Sequence, residues 1–125
     1  MVKKIILTAA EEKLADLIWR EAPLSSPELV TLAKQEMDWK KSTTYTVLKK
    51  LCGKGIFKNE NASVTAILTH EELVAQQSRR YVEDTFGGSL PKFITSFMSG
   101  RKLTPEQAAE LRRLINEHEG GGGNG

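Results

Sequence analysis

Between Trp39 and Gly55 the chain carries five lysines and no acidic residue, together with the short hydroxyls of Ser42, Thr43, Thr44 and Thr46. Ammonium groups neutralise phosphates whatever the base sequence, and hydroxyls donate to phosphates or base edges, so this chemistry suits a helix lying on a polyanion. Thr44, Val47, Leu48 and Leu51 recur at helical spacing, which predicts one stripe anchored in a core. Ser42, Thr43, Tyr45, Thr46, Lys49 and Lys50 then face outward, hydroxyls toward the start and charge toward the end. A solvated basic helix face has the same signature when taken alone.

The flanking segments decide what such a helix belongs to. Thr8 followed by Glu11 reads as a capping box opening a first helix through Leu14, Leu17 and Ile18, stopped by Pro23. Ser25 or Ser26 before Pro27-Glu28 opens a second, with Leu29, Val30, Leu32, Ala33 and Met37 on its apolar face. The basic helix follows and ends at Gly53-Lys54-Gly55. Ile56-Phe57-Lys58 and Ser63–Leu68, rich in β-branched residues around Asn59-Glu60-Asn61-Ala62, read as a β-hairpin. Three helices and a two-stranded wing is the order of a winged helix-turn-helix, whose third helix, here about 42–54, enters the major groove. A winged helix that binds protein instead of DNA is the competing reading.

The fold class expected is therefore mainly α with a small β-hairpin. A winged helix-turn-helix DNA-binding domain spans 1–68, a helical dimerisation region 69–119, and a flexible glycine-rich tail 120–125. The second region has a start at Thr69 before His70-Glu71-Glu72, a short apolar piece after Ser89, and a last helix from Thr104-Pro105. About 50 residues with this much apolar surface are marginal alone. Packing against a second copy, through Leu73, Tyr81, Leu90, Phe93, Ile94, Phe97, Leu111, Leu114 and Ile115, is the economical way to bury it. A dimer also reads enough base pairs for useful affinity, which one helix-turn-helix does not. Packing onto the N-terminal domain is the alternative.

Net charge is only +2 over 125 residues, so the case for nucleic acid rests on the local cluster. Residues 1–68 hold 11 basic and 8 acidic side chains, residues 69–125 hold 7 and 8. The single Cys52 excludes an internal disulfide and a Cys-rich metal site, and reads as a small partly buried residue. His70 and His118 are far apart and read as surface residues, so neither metal nor cofactor is expected. No nucleophile-base pair or phosphate loop suggests an enzyme. The apolar run after Met1 is too short for a signal peptide and no stretch could span a membrane, which points to a cytoplasmic protein.

Glu12 and Trp19 in the first helix, then Trp39 with Thr43, Thr46, Leu48, Lys50-Leu51 and Lys54-Gly55, wing and helical tail, resemble the penicillinase-repressor family over roughly residues 4–118. The resemblance implies a homodimeric winged-helix repressor occupying a dyad-symmetric double-stranded operator in front of resistance or stress genes. It places DNA contacts on Trp39, Lys41, Ser42, Thr43, Thr44 and Thr46, beside nonspecific charge from Lys40, Lys49, Lys50, Lys54 and Lys58. For Trp39, bracing the turn is as good a reading as touching a phosphate. In the β-lactam branch of the family a membrane sensor metalloprotease cuts before a Phe in the dimerisation region; the matching bond is Ser96-Phe97, where relatives have Asn before Phe. The wing tip also departs, having no basic residue. Copper-responsive members carry a Cys-rich end, which this chain lacks.

Overall fold

The computed structural model describes residues 5–120, and the tail beyond Gly120 lies outside that range. Elements run α1 (Ala9–Glu21), β1 (Leu24–Ser25), α2 (Ser26–Met37), α3 (Lys41–Gly53), β2 (Phe57–Glu60), β3 (Ser63–Ala66), α4 (His70–Phe86), α5 (Leu90–Phe97) and α6 (Pro105–His118). The chain divides into two compact units, Met1–Gly88 and Ser89–Gly125. The break thus follows α4, whereas the functional division expected from sequence precedes it.

Helix starts obey local chemistry. Thr8, Ser25, Thr69 and Thr104 each accept from the backbone N–H three residues on, and Glu11, Glu28, Glu72 and Gln107 return the bond as full capping boxes. Each cap satisfies two of the donors a helix end orphans, typically contributing about 1 kcal/mol. Ser89 caps α5 by its side chain alone.

The first unit is a three-helix core closed by a sheet. Leu14, Ile18, Leu29, Leu51, Ile56, Phe57 and Val64 are fully buried together, joining α1, α2, α3 and the strands. Burying each such side chain contributes roughly 1.5–3 kcal/mol. The sheet is antiparallel in the order β1-β3-β2, with Leu24 opposite Val64 and Phe57 opposite Ala66. The wing is therefore three-stranded: a short strand between α1 and α2, absent from the sequence expectation, pairs with β3. Its brevity leaves no periodicity to read. Glu60 faces Ser63, so Asn61-Ala62 forms the hairpin loop with φ of 52° and 61°, a type I′ geometry whose twist suits the paired strands.

Leu73 corrects the expected dimer face. At 2% exposure it is part of the first unit's core, because the first turn of α4 packs there. Trp19 holds the approach to that turn: its indole Nε1 donates to the Leu68 carbonyl at 2.9 Å, and its ring lies 5.0 Å from His70 and 5.2 Å from Phe57. His70 is exposed, as expected, but packs its edge on Trp19.

In the second unit neither α5 nor α6 has a fully buried residue. Leu90, Ile94, Phe97, Leu111, Leu114 and Ile115 all stand exposed, while Phe93 is half-buried with its ring 6.1 Å from that of Phe97. No helix among the described residues is long and apolar enough to cross a membrane.

Candidate nucleic-acid interface

The helix-turn-helix is built from α2, the turn Asp38–Lys40 and α3. Asp38 takes φ 55°, the left-handed conformation that Asp tolerates better than most residues, and its N–H donates to Lys34 O at 3.1 Å. The Trp39 N–H reaches Ala33 O at 3.3 Å, and Lys34 Nζ lies 2.6 Å from Asp38 Oδ1. That ion pair holds the Asp38 carboxyl below its usual range. Trp39 is half-buried against the core at the turn.

Buried and exposed stripes divide α3 cleanly. Thr44, Val47, Leu48 and Leu51 are buried, with Tyr45 and Cys52 at the border. Ser42, Thr43, Thr46, Lys49 and Lys50 are exposed at the three- and four-residue steps of one outward face, and Lys41 is exposed beside it in the first turn. Tyr45, expected outward, instead half-buries its ring and places its hydroxyl 3.4 Å from Ser26 Oγ. Burial pushes the Cys52 thiol pKa up, so it is less readily ionised than a free cysteine.

Thr44 and Lys54 stand differently from the rest of the expected contacts. Thr44 is fully buried and its Oγ1 donates to Lys40 O at 3.1 Å, so its hydroxyl is spent within the helix. Lys54 turns inward, its Nζ 2.5 Å from Glu11 Oε1 and 2.6 Å from Ile6 O. In the sequence Glu11 is the acid of a capping box; nothing local reveals its partner, which is 43 residues away along the chain. Lys58 lies exposed on β2 with Nζ 3.4 Å from Glu60 Oε1, which tempers its charge.

The start of α3 differs from the other helix starts. Lys40 occupies the N-cap without a side-chain bond and the first turn holds no acid. Backbone N–H groups there, beside the ammonium groups of Lys40 and Lys41, are disposed to meet an anion. Among the described residues no group of three or more His, Cys, Asp or Glu gathers to hold a metal.

Comparison with known proteins gives a consistent answer. The sequence model of a family described as "Penicillinase repressor" matches residues 7–117. The penicillinase repressor of Bacillus licheniformis is 20% identical over 117 residues, covering 90% of this chain and 91% of that protein. The methicillin resistance regulatory protein MecI of Staphylococcus aureus (strain N315) is 19% identical over 115 residues, covering 89% and 94%. These are names of regulators, not of catalysts.

Proposed function

The chain belongs to the penicillinase repressor family, a family of transcriptional repressors, and on that premise we propose that it acts as a homodimer whose α3 lies in the major groove of a dyad-symmetric operator. The observation that carries this is the outward stripe of α3, where Ser42, Thr43 and Thr46 share one face with Lys49 and Lys50, opposite its buried stripe, with Lys41 exposed in the first turn beside it. Hydroxyls in the first half of the helix read, and lysines at both ends anchor. Lys40 and Lys58 add charge at the margins, and Trp39 supports the turn. A DNA target implies a cytoplasmic protein.

Dimerisation rests on the second unit. Leu90, Ile94, Phe97, Leu111, Leu114 and Ile115 are exposed along helices that bury nothing fully. A second copy is the partner that would cover these apolar residues; Tyr81, in the first unit, is separately exposed on α4. Residues 1–68 then carry DNA recognition and 69–119 the pairing, with α4 joining the two functions. Inactivation by a membrane sensor metalloprotease is the matching induction route: Ser96 and Phe97 are exposed in the last turn of α5, where a short unwinding would present the bond.

The test is duplex selection from a random-sequence pool, followed by affinity against salt. A repressor enriches a dyad and loses affinity steeply as salt rises; sequence-blind, salt-insensitive binding would instead favour a protein-binding winged helix, which the ion-paired Lys58 and a wing tip without basic residues favour.

A further inference from the structure

Lys54 closes the lysine run in sequence but leaves it in space. The Glu11 side chain that receives it is only 4% exposed, and Glu11 Oε1 also accepts the Thr8 backbone N–H at 2.8 Å. One carboxylate oxygen therefore gathers the first turn of α1 and the C-cap residue of α3, while Lys54 carries a second bond to the Ile6 carbonyl of the segment ahead of α1. A carboxylate this buried is stable only while paired, so the contact defines one arrangement rather than a range of them.

The far end of α3 has no charged tie: Lys40 makes no cap bond, and the Tyr45 hydroxyl meets Ser26 Oγ only at 3.4 Å, a longer and uncharged contact than the one at Lys54. A helix of 13 residues is a rod of roughly 20 Å. Tilting it by about 10° at Lys54 would sweep its first turn by roughly 3 Å, a full hydrogen-bond length. Base contacts from the short side chains of Ser42, Thr43 and Thr46 could not follow such a shift. Long lysines reaching phosphates could.

We propose that Glu11 and Lys54 form a positioning pair for DNA recognition: held inward, Lys54 fixes the tilt of α3 and touches no phosphate. This rests on the DNA reading above, and the test separates the two.

Wild type, Lys54→Met, Lys54→Arg and Glu11→Gln are compared on two duplexes, the tightest binder that wild type selects from a random pool and a scrambled version of it. Lys54→Met is expected to weaken the selected duplex about tenfold or more while leaving affinity and salt slope on the scrambled duplex unchanged; Lys54→Arg, which can still pair with Glu11, restores the preference. Glu11→Gln keeps an amide oxygen for the Thr8 N–H and is expected to shift the preference in the same direction as Lys54→Met, and it carries the comparison if Lys54→Met does not fold. An equal loss on both duplexes marks a merely structural role and overturns the proposal. A salt slope on the scrambled duplex lower by about 0.9 would make Lys54 a phosphate contact and overturn it too. Wild-type protein without salt-dependent binding to either duplex removes the DNA reading itself, before any variant is made, and the positioning role with it.

Discussion

Ser26 donates its backbone N–H to the Ala62 carbonyl at 2.8 Å, stitching the first residue of α2 to the tip of the wing. Ala62 holds φ 61° at the second position of the type I′ turn, where glycine is the favoured residue. An alanine in the left-handed region costs roughly 1–2 kcal/mol, partly offset by its smaller entropy in the unfolded chain. Ala62→Gly is expected to stabilise the first unit by about 0.5–1 kcal/mol. Urea unfolding checks this: the midpoint rises with the slope unchanged.

Trp19 links the wing's exit to α1 through its indole N–H on Leu68 O. Trp19→Phe keeps an aromatic ring against Phe57 and loses that donor, at an expected cost of about 1–2 kcal/mol. Amide exchange should quicken at the start of α4 more than in α2. Equal protection in both helices would remove Trp19 as the clamp on that junction.

Glu11 and Lys54 carry a stability prediction separate from DNA. Lys54→Met leaves the Glu11 carboxylate with the Thr8 N–H alone; with that bond kept and Lys54 32% exposed, a cost of about 1–2 kcal/mol is expected, below the roughly 3–5 of a fully buried pair. The Glu11 carboxyl is held below its ordinary 4.5 by the hydrogen bond from Lys54 first and the Thr8 backbone N–H second. The folded protein thus binds this proton less readily than the unfolded one. The stabilisation is whole above the unfolded value and drains away as pH falls through the lower folded value. Below about pH 4.5, unfolding free energy should fall more steeply for wild type than for Glu11→Gln.

Thr43 and Thr44 are neighbours with opposite fates, one exposed and one fully buried. Thr43→Val should narrow the gap between selected and scrambled duplex by about 1–2 kcal/mol without moving the salt slope. Thr44→Val should leave DNA binding intact and cost about 1 kcal/mol of stability for the lost bond to Lys40 O. Lys49→Ala with Lys50→Ala, in contrast, should lower the salt slope by about 2 on either duplex.

Ile115 is 64% exposed on α6, so a charge there leaves the protomer's own packing alone. Ile115→Asp is expected to give monomers in sedimentation and weaken the selected duplex at least tenfold. A dimer that survives the substitution would place the pairing surface elsewhere.

Chain-local physics was open to reading from residue order. Thr8, Ser25, Thr69 and Thr104, each with an acid or amide three residues on, mark helix starts because a capping box is made within four consecutive residues. The buried stripe of α3 from Thr44 to Leu51 follows from its 3.6-residue period, and the wing from β-branched residues around Asn61-Ala62. Exposed Thr43, Thr46, Lys49 and Lys50 were legible for the same reason. What residue order left open depends on groups far apart in the chain. Leu24-Ser25 becomes a strand only because β3 offers it a free edge, and Leu73 becomes core only because α4 returns to α1. Thr44 and Thr43 look alike until helix packing chooses which hydroxyl water can reach. Lys54 reads as one more basic residue of the run, and only folding brings Glu11 beside it, where a buried carboxylate claims the nearest ammonium.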